Sequence, residues 1–270
     1  MTEIEPYLLK GGEDLPDETP LYNYIKIEEF LHLIEFKRLI FSKITSWPDS
    51  YEGFLFEFFK QFPNDPLLKD HNKDDFYGSC WSLQTEDTCL FRNDREYQAA
   101  LQEIRESGSA SMWETYCKNG GVRIKTTLGK LNKLFLKNLI DPKLIKRGKV
   151  LYEPEGIWTV ESKDLTSTFF TKRISFRHES EYRYILIPNK IENVKLIYVE
   201  IDDLFDLIDE IMVAPAIKAN KWISRTLYNI GVDIFNSPER DTNRKNGKQF
   251  CKISQLYGRI SQGVGHSDMT

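Results

Sequence analysis

Apolar residues recur along this chain in two rhythms, and the switches between them mark out its elements. Leu21-Tyr22-Asn23-Tyr24-Ile25 reads as a short strand. Ile27, Phe30, Leu31 and Ile34 then fall at three- and four-residue spacing, which predicts an amphipathic helix over 27–36. Leu39-Ile40-Phe41-Ser42 restores the strand rhythm, so strand, short helix, strand is the opening unit. Trp47-Pro48-Asp49 breaks regularity, and the aromatic-rich stretch 51–62 predicts a helix that stops before Pro63.

Further along, 77–83 predicts a core strand, 96–106 a polar helix, 111–117 a helical turn, and 122–126 a strand entered through Gly120-Gly121. Leu131, Leu134, Phe135 and Leu139 give a helix over 128–139 one apolar face. Strand signals at 150–153, 169–171, 181–187 and 196–201 are separated by turns rather than by regular crossover helices. That rhythm predicts an α+β fold of mainly antiparallel β-sheets flanked by helices, not a doubly wound parallel sheet. Residues 221–230 predict a late helix that covers the sheet.

The pattern divides the chain into three regions. Residues 1–20, with Gly11-Gly12 and an acidic, proline-rich run to Pro20, read as a loose leader, and 21–236 as a single α+β domain. From 237 to 270 the chain turns polar, with Arg240, Arg244, Lys245, Lys248, Lys252 and Arg259. That basic segment reads as a solvated tail, partly disordered, or as an electrostatic contact for RNA or an acidic partner.

Composition narrows the class. The 270 residues are 40% hydrophobic and 13% aromatic, enough for a substantial core. A net charge of -4 opposes a wholly basic nucleic-acid-binding surface while leaving room for a local basic groove. No apolar run approaches the roughly eighteen residues of a membrane span, and the start Met-Thr-Glu-Ile-Glu-Pro lacks a secretory pattern, so a cytoplasmic protein without membrane attachment is expected. Cys80, Cys89, Cys117 and Cys251 have neither C-x-x-C spacing nor paired histidines nearby, which predicts reduced thiols rather than a zinc site or a disulfide framework.

Several chemistries lose their usual support. The chain has no P-loop, no G-x-G-x-x-G turn, no H-E-x-x-H and no G-x-S-x-G elbow. His32, His71, His178 and His266 are dispersed, and no metal site is expected. A metal-dependent nuclease would need Asp49 and Glu161-Ser162-Lys163 to meet from distant parts of the chain.

The chemistry with most support lies in Phe176-Arg177-His178-Glu179-Ser180-Glu181-Tyr182-Arg183-Tyr184-Ile185-Leu186-Ile187. In an extended strand, residues two apart share a face and rise about 6.6 Å. Glu179, Glu181 and Arg183 are therefore expected in one row toward a cleft, with Tyr182, Tyr184 and Leu186 anchoring the opposite face. Carboxylates about 6.6 Å apart repel by roughly 2.5 kcal/mol at an effective dielectric near 20, enough to raise one pKa. Such a pair suits stabilising a cationic sugar-like transition state or acting as base on a nucleophile. The plain alternative is an ordinary solvated strand face.

The order of pieces carries a resemblance. Leu21-Tyr22-Asn23-Tyr24, a helix, Leu39-Ile40-Phe41-Ser42, Ser79-Cys80-Trp81-Ser82, Ser111-Met112-Trp113-Glu114-Thr115-Tyr116 before Gly121-Val122, Tyr152, Phe170-Thr171-Lys172 and Glu179-x-Glu181-Tyr182-Arg183 together resemble bacterial domain-of-unknown-function family 2971 over residues 20–225. The layout also looks like the ADP-ribosyltransferase superfamily, which implies split antiparallel sheets and NAD as co-substrate. By that resemblance Glu181 is the catalytic carboxylate and Glu179 the acceptor-side one. Tyr22, Asn23, Tyr24, Ser42, Trp113, Tyr116 and Arg183 become the NAD-binding residues, the rings as walls and Ser42 toward a ribose hydroxyl. Many members carry His or Arg on the first strand, where this chain has Asn23 and Tyr24.

The resemblance further implies a bacterial toxin or phage-defence effector that modifies nucleic acid, RNA favoured, or protein, with an antitoxin-like partner. The competing expectation is a non-enzymatic module whose charged row docks nucleic acid or protein. A metal-dependent nuclease is a third.

Overall fold

The structure, a computed structural model, describes residues 15–47, 49, 56, 72–84, 93–138, 145–154, 165–187, 194–215, 225–226, 244–245, 248–249 and 251–254. The strands are β1 (Pro20–Lys26), β2 (Arg38–Lys43), β3 (Tyr77–Ser82), β4 (Gly121–Thr127), β5 (Ile145–Lys149), β6 (Leu151–Glu153) and β7 (Thr171–Arg173). They continue as β8 (Glu181–Leu186), β9 (Leu196–Glu200), β10 (Glu210–Val213), β11 (Arg244–Lys245), β12 (Lys248–Gln249) and β13 (Cys251–Ile253). Helices run over Ile27–Phe36, Asp94–Ser107, Ala110–Tyr116, Leu128–Asn138 and Leu204–Leu207. The fold is α+β with mostly antiparallel pairing, as the turn-separated strand signals predict.

The chain forms two compact units, each assembled from separated segments. The first takes Met1–Leu21, Lys37–Leu83 and Thr127–Asp202, and the second takes Tyr22–Phe36, Gln84–Thr126 and Asp203–Thr270.

In the first unit, β9, β2, β3, β8 and β5 follow one another in that order, every pair antiparallel. β8 is central, paired to β3 from Ser82↔Glu181 to Tyr77↔Leu186 and to β5 from Lys149↔Tyr182 to Ile145↔Leu186. All six of its residues are buried. Tyr182, Tyr184 and Leu186 face the helix Leu128–Asn138 side, where Tyr184 meets Phe135 edge-on at 4.8 Å and Phe135 meets Phe41 at 5.1 Å. Burying such a ring is worth about 1.5–3 kcal/mol. Ile185 joins a second apolar cluster with Ile44, Phe56, Phe76, Phe169 and Phe170.

Two differences from the sequence reading have simple causes. Residues 15–20 are pinned rather than loose, because the start of the helix Leu128–Asn138 needs acceptors for its free amides. Leu128 N–H donates to the Thr19 carbonyl and Gly129 N–H to the Asp17 carbonyl, each at 2.9 Å. β5 escapes the hydrophobic pattern because Ile-Lys-Arg-Gly-Lys is mostly charged, and it is a strand by virtue of its pairing with β8.

In the second unit β13, β10, β4 and β1 lie in order, β10 parallel to β13 and antiparallel to β4. The helix Ile27–Phe36 buries Ile27, Phe30 and Leu33, with Leu31 and Ile34 half-buried at the edges of the stripe. Part of the basic segment expected as a tail is ordered into the sheet. Cys251–Ile253 runs alongside Ile211–Val213, and the buried Ser254 hydroxyl donates to the Ser107 carbonyl. The expected helices over 51–62 and 221–230 lie outside the described residues apart from Phe56 and 225–226, as do Arg240, Arg259 and 261–270.

Candidate active site

Ser180 sets the geometry of the acid pair. It sits in the left-handed region at φ 45, ψ 55, between a 3-10 turn Ile174–Glu179 and β8. A non-glycine residue holds that conformation only where its surroundings fix it. Here the Ser180 amide donates to the Arg177 carbonyl at 3.1 Å and the Ser180 carbonyl accepts from Leu83 N–H at 2.8 Å. The next carbonyl, of Glu181, accepts from Val150 N–H at 2.9 Å. Glu179 therefore ends a turn and Glu181 begins a strand, which corrects the expected extended row. His178, exposed on the turn, has no strand face to occupy.

The two acids are nevertheless brought together, by a lysine. Lys172 Nζ on β7 lies 2.5 Å from Glu179 Oε2 and 3.1 Å from Glu181 Oε1. Arg183 Nε donates to the other Glu181 oxygen, and Arg183 Nη1 donates to the Phe169 carbonyl at 2.7 Å. The Glu181 amide donates to the Tyr152 hydroxyl at 2.8 Å. β6 and β7 form a parallel ribbon in which Tyr152 stands opposite Lys172, so one register pair supplies two contacts to the corner.

A chain of contacts continues to Ser42. The Arg183 guanidinium lies 4.6 Å from the centre of the Trp47 ring, and Trp47 Nε1 donates to Ser42 Oγ at 3.2 Å. Ser42, Arg183, Glu181 and Glu179 thus belong to one connected set. The row is not a solvated face: Glu179 is 2% exposed, Glu181 7% and Arg183 1%.

Burial and charge push the two carboxyls apart. Burial and the hydrogen bond that protonated Glu179 donates to Glu181 raise Glu179 to about 7 against the opposing pull of Lys172. Burial also works against the ionised form of Glu181, but Arg183, the bond with Glu179 and Lys172 together outweigh it and hold that carboxyl below its ordinary range. One acid stays ionised while its neighbour is poised to exchange a proton near neutrality, the division that acid–base chemistry requires. Burial first, then the Glu181 charge, pushes the Tyr152 hydroxyl up, so it stays protonated.

The aromatic residues expected as ring walls lie in the second unit and pack there as core. Tyr22, Tyr24, Trp113, Met112, Cys117, Met212 and Ala214 form one apolar cluster with Tyr116 against it. Tyr24 and Trp113 meet edge-on at 4.8 Å, and Trp113 Nε1 donates to the Ser107 carbonyl at 2.9 Å. The Tyr24 hydroxyl accepts from Ser109 N–H at 2.9 Å and from the Gln84 amide. Arg123 stands 4.8 Å from the centre of the Tyr22 ring and donates to the Ile104 and Arg105 carbonyls, Gln84 Oε1 and Glu210 Oε1. Asn23, between the two tyrosines on β1, is half-buried.

Compared with known proteins, the chain matches no family model, no curated protein and no solved structure.

Among the described residues no group of three or more His, Cys, Asp or Glu is placed to hold a metal ion, and no helix is long and apolar enough to cross a membrane. Asp49, one half of the nuclease alternative, is held by Arg173 at 2.9 Å and 3.4 Å, while Glu161-Ser162-Lys163 lies outside the described residues. Among the described residues, Cys80 and Cys117 are in no disulfide.

Lys172, Tyr152 and Trp47 also belong to the acid site, and no pattern in the sequence marks them for it. Lys172 and Tyr152 stand in the ordered motifs, but the ribbon register that aims both at Glu181 has no periodic signature. Trp47 reads as a turn residue, and its position over Gly78, where a Cβ would strike the indole, appears only in three dimensions.

Proposed function

We propose that this protein is an NAD-dependent ADP-ribosyltransferase, related to domain-of-unknown-function family 2971, that modifies nucleic acid, RNA favoured, or protein. The observation that carries the reading is the buried pair Glu179 and Glu181 with opposed protonation behaviour, set beside Lys172 and Arg183. In the transfer, the bond from ribose C1′ to the nicotinamide nitrogen breaks and nicotinamide leaves with its electron pair. A bond forms from C1′ to an acceptor oxygen or nitrogen, and the acceptor proton passes to Glu179. The fixed charge of Glu181 favours the cationic ribose in between. Ser42 and Trp47, tied to Arg183, supply a hydroxyl and a ring on the same unit. A cellular toxin or phage-defence role with an antitoxin-like partner fits this chemistry.

Incubation with NAD labelled in its adenylate half and separate pools of RNA, DNA and protein tests class and acceptor together. Label on RNA is the expected result; label on no pool, with no nicotinamide released, contradicts the reading.

One observation favours a second reading, a non-enzymatic binding module: all four charged groups are nearly sealed from solvent and bonded to one another, as in a structural ion cluster. A row so sealed does not itself dock a partner, so that reading predicts intact NAD and nucleic-acid binding through other charges, weakening as salt rises.

A further inference from the structure

We propose that Lys172 is the positioning residue of the acid pair, holding the two carboxylates side by side and deciding which of them carries the proton. Its catalytic meaning rests on the transferase reading; its placement does not. Lys172 is 6% exposed, and a lysine so buried is tolerated only when paired and hydrogen-bonded. Its ammonium bridges the last residue of the 3-10 turn and the first residue of β8, across the left-handed corner at Ser180. The ribbon that carries it has three residues in each strand, and its other register partner at that level, Tyr152, receives the Glu181 amide. One rung of a short ribbon thus clamps both sides of the corner.

The clamp is uneven. Arg183 Nε serves Glu181, while Arg183 Nη1 is committed to the Phe169 carbonyl. Lys172 is the cation that opposes protonation of Glu179. Among the described residues, Glu179 meets Lys172 from β7, Glu181 from β8 and Tyr152 from β6, with Arg177 and His178 on its own turn and Arg183 bonded to the far side of Glu181. The 3-10 segment Leu165–Phe170 packed beside β7 brings no charged side chain. Without the ammonium, two carboxylates within hydrogen-bonding reach still share one proton, and that shared proton is lost only at higher pH.

The test uses the full chain labelled with carbon-13 at the glutamate carboxyls and titrated by NMR between pH 4 and 9. Glu179 is identified as the near-neutral titration that disappears in Glu179→Gln. In Lys172→Met its midpoint is expected to move up by roughly 1–3 pH units, and in Lys172→Arg to return toward the native position. The alkaline-going rise of nicotinamide release is expected to move with it. An unmoved midpoint in Lys172→Met overturns the assignment. If Lys172→Met fails to fold, adding Glu179→Gln is expected to restore the fold by removing a carboxyl that would otherwise have to take up a proton on folding. Failure of that double variant, with Glu179→Gln alone folded, overturns it equally. Absence of nicotinamide release in the unmodified protein, with the NMR shift present, removes the transferase reading and leaves the Lys172 role standing.

Discussion

The Arg183 guanidinium stands 4.6 Å from the centre of the Trp47 ring, and the same indole lies across Gly78 on β3. Through this contact a strand charge, a loop ring and the Ser42 hydroxyl become one unit, because Trp47 Nε1 is spent on Ser42 Oγ. The close approach requires a residue without a side chain at position 78, since a Cβ there overlaps the Trp47 ring edge.

Gly78→Ala is therefore expected to destabilise the protein by about 1–3 kcal/mol through overpacking. In a Trp47→Leu background the same change is expected to cost less, because the obstructing ring is gone. Urea denaturation of the two single variants and the double variant measures the coupling. Strictly additive costs contradict the proposed wedge.

Stability should depend on pH in a way the acid pair dictates. Glu179 binds its proton more tightly when folded, its carboxyl being raised from 4.5 to about 7, so its contribution is full below about 4.5 and is lost as pH rises toward 7. Glu181 has the opposite sign: with its folded value lowered, its contribution is full above 4.5 and is lost as pH falls. The difference in urea midpoint between Glu179→Gln and the native protein is expected to shift in favour of the variant between pH 4.5 and 7. A pH-independent difference over that interval contradicts the assignment.

The second-unit rings are expected to behave as core. Tyr24→Phe keeps the ring against Trp113 but removes the acceptor for Ser109 N–H and the partner of Gln84. Leaving such groups unsatisfied costs about 1–3 kcal/mol. Thermal or urea unfolding of Tyr24→Phe checks this, and unchanged stability argues against a structural role for the hydroxyl.

Much of the architecture was legible because its elements obey a period. β1, the helix Ile27–Phe36, β2, β3, β4 and the helix Leu128–Asn138 fall within a residue or two of their expected spans. β5 was not legible, since its Lys-Arg-Gly centre buries through pairing rather than through apolar character, and Arg147 is buried opposite Tyr184. Glu179 and Glu181 were legible as a pair for the wrong reason. Their closeness comes from a left-handed corner and a bridging lysine, which alternation cannot reveal. The tyrosines of β1 were legible as aromatic and alternating, but the same pattern describes a wall and a core.

Glu181 carries the proposed chemistry. Nicotinamide released from NAD, measured for the native protein and for Glu181→Gln shown by circular dichroism to be folded, is the most direct test. Release by the native protein and its loss in the folded variant is the predicted result. Equal release by both removes Glu181 from the reaction.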